Sequence, residues 1–311
     1  MSRSAFPGCR VSIDLQRVAR NAEIIRRRTE RPLIAVIKAD AYGLGAAAVV
    51  RTLAPLVDGW YAFRLAEAVA AGTAGTGKSC VVMLADESIA LEAWAAANAR
   101  PAVWSAETAA HFASLRPVLS VNTGMHRFAA DADQIDPILA AAPSIDEAMT
   151  HASRPEQAAK LKQIVGPRRL KLHAAASALL DEPPTWLDAV RPGLALFRGA
   201  VRVTAPIVEL RRNTGPAGYG QFEVAAHGVI LGGYSAGWRT GPCVINGRLS
   251  RVIEVGMQSA FVEVGPGEKV GDEVVLLGDG LDEVQVAQAW NCSPHEALLR
   301  LARSGKRSYV E

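Results

Sequence analysis

The stretch Leu33-Ile34-Ala35-Val36-Ile37-Lys38-Ala39-Asp40-Ala41-Tyr42-Gly43-Leu44-Gly45 decides how this chain is read. Its first five residues are apolar and mostly branched, the composition of a strand buried on both faces. The strand ends on Lys38, a polar turn with two glycines follows, and a new apolar segment opens after it. An amine at the end of such a strand is poorly hydrated. Loss of water disfavours the charged form, lowers the pKa and makes Lys38 a candidate nucleophile or Schiff-base former. The position equally suits an ordinary lysine snorkelling at a strand edge.

Working outward, strand-like and helix-like segments alternate to about residue 200. After the strand over 33–37, strands are expected over 60–65, 80–84, 101–105, 118–121, 149–151, 170–174 and, weakly, 188–191. Helices are expected over 66–71, ended by Gly72, and over 89–98 and 108–115. Such alternation implies a parallel sheet with crossover helices, and eight units fit a closed (β/α)8 barrel. From about residue 201 the texture changes. Short apolar strands over 201–210, 225–231, 249–255, 260–264 and 273–277, separated by glycines, read as an all-β domain. The expected α/β architecture is therefore an N-terminal TIM-like barrel over 1–200 followed by a C-terminal all-β domain over 201–311.

Composition permits this and excludes other classes. The chain has 311 residues, half of them hydrophobic, enough for a large core or two domains. A net charge of +3 is too small to imply nucleic acid. Cys9, Cys80, Cys243 and Cys292 show no paired spacing, which argues against a disulfide framework or a zinc site and suits a reducing, cytoplasmic compartment. No metal site is expected. Neither a signal-peptide run nor a membrane-length apolar stretch is found, so no membrane partner is expected. The string from Gly72 to Gly77, Lys78 and Ser79 satisfies the P-loop pattern, but a helix precedes it and a strand follows. That is the reverse of a phosphate-binding P-loop, and the segment reads as a glycine-rich connection.

The string from Ala35 through Lys38 and Tyr42 to Gly45 closely resembles the cofactor-lysine motif of the alanine racemases, fold-type III pyridoxal phosphate (PLP) enzymes. The resemblance implies a barrel followed by a β domain that borrows the N-terminal segment, so residues 1–14 are expected to pack there. It implies that Lys38 carries PLP covalently and that Tyr42 contacts the cofactor phosphate. Ala176-Ser177-Ala178 and Arg191-Pro192-Gly193-Leu194 are similar to further family signatures. By that similarity Ser177 and the backbone amides of Gly193 and Leu194 bind phosphate, and Arg191 faces the pyridine nitrogen. An arginine does not give up its proton, so the ring nitrogen stays unprotonated and side reactions are limited. His151, in Met149-Thr150-His151, matches the family histidine placed between that arginine and the catalytic tyrosine.

Tyr219, between Gly218 and Gly220, resembles the second catalytic base, which in the family comes from the β domain of the other subunit. Tyr234 resembles the tyrosine at the substrate entrance, and Met257 the methionine whose amide touches the substrate carboxylate. Arg127, in Asn122-Thr123-Gly124-Met125-His126-Arg127, resembles the carboxylate-binding arginine, suited to a bidentate contact.

The chain departs from the family pattern at several points. Leu44 stands where the family usually has His, Ser120 where many members have a lysine that is often carbamylated, and Asn122 and Gln258 where they have Asp. The family's C-terminal phosphate-binding tyrosine aligns near Ala302, with Tyr309 off register. The expectation is a PLP-dependent racemase acting by two bases, Lys38 and Tyr219, in a homodimer with composite sites. L- and D-alanine are the first candidate substrates. The departures around Arg127 make another amino acid the alternative, and a PLP-binding protein without turnover a further one.

Overall fold

Strand β1 (Arg10–Asp14) belongs to the second of two compact units and is taken up with it below. The computed structural model describes residues 8–310, so the expected packing of 1–7 lies outside the described residues. The first unit comprises Val18–Ala41 and Gly45–Leu196. Its strands β2 (Ile34–Val36), β3 (Gly59–Ala62), β4 (Cys80–Val82), β5 (Ala99–Val103), β6 (Val118–Ser120), β7 (Glu147–Ala152) and β8 (Lys171–Ala175) pair in that order, all parallel. Helices such as Leu65–Ala71, Leu91–Ala96 and Pro155–Val165 fall between them.

The expected eighth strand shrinks to two bridges, Leu33 with Val190 and Ala189 with His173. Its backbone still closes the ring. Ile34 donates to the Val190 carbonyl at 2.9 Å, and Arg191 donates to that of Ala175 at 2.7 Å. Pro192 has no N–H and cannot extend a ladder, which explains the short strand. Trp60, Trp94, Phe112 and Leu119 are fully buried in this unit.

A cavity of about 550 Å³ opens at the strand N-termini, lined by Ile34, Gly59, Arg100, Glu147 and His173 among others. There Glu147 Oε1 stands 2.6 Å from His173 Nε2, and its Oε2 2.5 Å from Arg100 Nη1. Burial alone would raise the Glu147 carboxyl. The His173 hydrogen bond and the Arg100 charge outweigh it and hold the group at about 2. Burial pushes the His173 imidazole down, against the pull of Glu147. Its Nδ1 has no partner among the described residues.

The second unit comprises described residues up to Arg17, the short stretch Tyr42–Leu44, and residues from Phe197 on. Strands β9 (Val201–Arg212), β10 (Ala226–Leu231), β11 (Gly241–Ile245), β12 (Arg248–Val255), β13 (Ser259–Glu263) and β14 (Glu273–Leu277) form an antiparallel ring, closed where β10 pairs with β9. β1 adds to it, antiparallel to β9 and parallel to β15 (Lys306–Val310).

Two helices, Glu283–Trp290 and Pro294–Ala302, stand between β14 and β15, where the sequence reading placed none. Asp282 caps the first by accepting from Val284 and Gln285 N–H groups at 2.9 and 2.8 Å. Among the described residues no helix is long and apolar enough to cross a membrane.

Candidate active site

Beyond β2 the chain makes a turn of left-handed helix. Ala39, Asp40, Ala41 and Tyr42 have φ of 57°, 60°, 51° and 57°. None is glycine, and each such residue costs roughly 1–2 kcal/mol. Hydrogen bonds hold the turn in place. Ala41 donates to the Ile37 carbonyl at 2.8 Å and Gly45 to that of Asp40 at 3.0 Å. Asp40 Oδ1 accepts the Ala46 N–H at 2.7 Å, and Glu67 Oε1 accepts that of Ala39 at 2.8 Å. Lys38 stands half-buried at the head of this turn. Burial, then the positive charges of Arg127 and Arg191, push its ammonium pKa down, partly opposed by Glu67. A lysine so disposed gives up its proton more readily than a free one, which favours the nucleophilic amine.

Arg191 is only 4% exposed. Its guanidinium lies 5.1 Å from the centre of the Tyr61 ring and reaches the Thr150 carbonyl through Nη2. Its Nε has no partner among the described residues. A buried, charged donor without an acceptor is costly, and a ligand acceptor would satisfy it. Arg191 thus meets β7 at Thr150, one residue before His151, whose side chain is exposed. Tyr61 donates to Met83 Sδ at 2.6 Å. Burial raises the Tyr61 phenol, against the pull of Arg191 and Arg127.

Ser177 Oγ accepts the N–H groups of Gly193 and Ala195, both at 3.0 Å. The hydroxyl keeps its own proton to donate, as an anionic ligand requires. The Gly193 amide is engaged by Ser177, so of the two expected phosphate-facing amides it is the one with an internal partner.

Arg127 is exposed and has sulfur and aromatic neighbours where the family pattern implies charged ones. Nη2 lies 3.6 Å from Met125 Sδ, and the guanidinium 5.8 Å from the Phe128 ring centre. Phe128 packs in turn on Phe63 and Trp104, at 6.0 and 5.4 Å between centroids. Ser120 is buried in β6. Asn122 organises the loop: its Oδ1 accepts the Gly124 and His126 N–H groups at 3.0 and 3.1 Å.

In the second unit, Tyr219, Tyr234 and Met257 come together around Gly256. Tyr219 Cε2 would lie 3.6 Å from a Cβ at Gly256, and Tyr234 donates its N–H to the Gly256 carbonyl at 3.0 Å. All three side chains are solvent-facing, Tyr219 at 86% exposure. Glu254 grips the loop, accepting the Tyr219 and Gly220 N–H groups at 2.9 and 2.6 Å. Tyr42 is buried here against Phe197 and His295, with centroids 5.2 and 5.8 Å away. Ala302 is buried, while the Tyr309 hydroxyl donates to the Leu44 carbonyl at 3.1 Å.

The P-loop-like string connects helix Leu65–Ala71 to β4, and Lys78 Nζ is turned to the Ala54 carbonyl. The sequence reading missed Tyr61 and Glu67. The available signal for Glu67 was its position three residues after the helix cap Arg64.

A family profile described as the alanine racemase N-terminal domain matches residues 13–200. The alanine racemase of Aeromonas hydrophila subsp. hydrophila is 29% identical over 343 residues, covering 93% of this chain and 96% of its own. The biosynthetic alanine racemase of Escherichia coli K12 is 27% identical over 332 residues, with 90% and 92% covered. The crystal structure of the biosynthetic alanine racemase of Pseudomonas aeruginosa matches with a TM-score of 0.89 at 23% identity, over 98% of this chain and 100% of that one. That of Bartonella henselae, described with covalently bound pyridoxal phosphate, matches at 0.86 and 22% identity, over 97% and 99%. At these identities the two structural likenesses speak for the fold.

Proposed function

We propose amino-acid racemisation as the activity of this chain, which belongs to the alanine racemase family and is an alanine racemase-like, PLP-dependent enzyme. The observation that carries the proposal is the depressed Lys38 amine at the head of a tied, left-handed turn, facing the charges of Arg127 and Arg191. The donor set suits the cofactor: an amine ready to bond an aldehyde carbon, a buried Arg191 with an unsatisfied Nε, and a Ser177 hydroxyl with a proton to give.

Bound PLP supplies an electron-accepting ring that acidifies the substrate Cα–H. Lys38 and Ser177, with Tyr42, the Leu194 amide and His151, would hold and orient it. Arg191, which keeps its proton, would face the ring nitrogen and leave it without one. Arg127 would bind the substrate carboxylate, while the Met257 amide and Tyr234, which lie beside Tyr219 around Gly256, would come with it from a second copy of the chain to touch the carboxylate and line the entrance. Lys38, whose pKa burial and the neighbouring arginine charges push down, takes the Cα proton on one face, and the Tyr219 hydroxyl serves the other. Tyr219 is delivered by a second copy of the chain, which makes the active form a homodimer with composite sites in the cytoplasm. Alanine is the first candidate substrate. The Met125 and Phe128 neighbours of Arg127 favour a second reading, a different amino acid at the same site.

The test is incubation with PLP, borohydride trapping and a peptide map, followed by chiral chromatography on a panel of L-amino acids. The label is expected on Lys38 and at least one antipode is expected to accumulate. A label on another lysine, or none at saturating PLP, refutes the proposal.

A further inference from the structure

Glu67 makes an unusual set of contacts for a helix-cap glutamate. Three other helical segments use a glutamine at the third position to reach back to the cap. Gln134 accepts the Asp131 N–H at 2.9 Å, Gln285 that of Asp282 at 2.9 Å, and Gln157 those of Ser153 and Arg154 at 2.7 and 3.0 Å. In each a single amide oxygen does the work. At helix Leu65–Ala71 the residue is Glu67, and it uses both oxygens. Oε2 performs the ordinary cap, accepting Phe63 and Arg64 N–H groups at 2.8 and 3.1 Å. Oε1 reaches across to the Ala39 N–H at 2.8 Å, 28 residues away in sequence.

A glutamine cannot do both, since its second terminal atom is a donor that would face an N–H. Ala39 is the first residue after Lys38 and opens the left-handed turn, so its amide fixes where the lysine stem begins.

We propose that Glu67 is a positioning residue for the reaction at Lys38: its two carboxylate oxygens tie the first amide after the lysine to the end of β3. The inference rests on the racemase reading for its functional meaning, while the tie itself is tested without it. Glu67 also opposes the charges of Arg127 and Arg191 at the Lys38 amine. Charge and reach are separable by substitution.

The experiment compares wild type with Glu67→Gln and Glu67→Asp. Glu67→Gln keeps the length and loses one acceptor. Glu67→Asp keeps the charge and is one methylene too short to span both strands. Two measurements are made: hydrogen exchange of the apo-protein peptide containing Ala39, and absorbance titration with PLP. Both variants should exchange faster at Ala39 and bind PLP about tenfold or more weakly, the loss of one hydrogen bond to a charged group. kcat should fall more than KM for the amino acid rises.

A variant with a lower melting temperature but wild-type exchange at Ala39 and wild-type PLP affinity would overturn the inference, because Glu67 would then be only a helix cap. If Glu67→Gln fails to fold, Glu67→Asp carries both measurements. If wild type itself takes up no PLP on Lys38, the racemase reading falls, and the exchange comparison still decides the tie.

Discussion

Asn122 Nδ2 lies 2.7 Å from Asp131 Oδ1 and donates to it, so the side chain that replaces the family's aspartate is the donor that closes the loop from 122 to 131. The same nitrogen stands 2.9 Å from His126 Nδ1. An aspartate at 122 would set two carboxylates against each other.

Asn122→Asp is therefore expected to destabilise the protein by about 1.5–3 kcal/mol, the loss of a hydrogen bond from the buried Asn122 to a charged group. Urea unfolding at neutral pH measures it. The exchange of Ser120→Lys together with Asn122→Asp, which the family pattern alone suggests as a route to better L-alanine turnover, should fail until Asp131→Asn is added. Improved alanine kinetics in the double variant without that third change would show that the loop tolerates the clash.

Tyr219→Phe should lower racemisation by ~10²–10⁴-fold, the range for a general acid–base group, with PLP affinity unchanged. Its hydroxyl is free of the loop's own scaffolding, which Glu254 builds from backbone amides. Steady-state rates in both directions and a PLP titration check this. Wild-type turnover in the Phe variant removes Tyr219 from the mechanism.

Acid should weaken the first unit in two stages with the same sign. His173 has a folded pKa below its ordinary 6.5, so the stability it contributes is present above 6.5 and is lost as pH falls below that value. Glu147 is held at about 2 against an ordinary 4.5, so its contribution is complete above 4.5 and disappears as pH falls towards 2. Glu147→Gln should be less stable than wild type at pH 7 and should show a shallower loss between pH 4.5 and 2. Unfolding curves at several pH values decide it. Parallel curves would mean the carboxylate is not coupled to folding.

The parallel strands were legible because each is a short apolar run bounded by polar residues or glycine. Their ends moved: the strand expected over 60–65 stops at Ala62 because Phe63 and Arg64 turn into the cap of helix Leu65–Ala71, while that expected over 149–151 extends over Glu147–Ala152. The lysine at the end of β2 was legible for the same reason. The left-handed turn after it was not, since Ala39 and Ala41 disfavour that conformation, a lone Asp40 tolerates it only as a single residue, and the run is held by hydrogen bonds such as that from Ala39 to the remote Glu67.

Glu67 escaped notice because its second partner is remote in sequence. The helices at Glu283–Trp290 and Pro294–Ala302 carry helix-start signals in the sequence, Asp282 with Gln285 and Ser293-Pro294 with Glu296, that are weaker than the apolar strand runs before them.

Strand β1 pairs along its whole length with β15, from Arg10 beside Lys306 to Asp14 beside Val310. During synthesis those partners emerge at opposite times, and the barrel residues Val18–Ala41 and Gly45–Leu196 leave the ribosome between them. Domains tend to fold as they appear, so the barrel can assemble while β1 still waits with exposed pairing edges. Nascent chains of this protein therefore carry an open edge on β1 after β9 has covered the other and until β15 has emerged, and release before that point would leave them prone to pairing with one another.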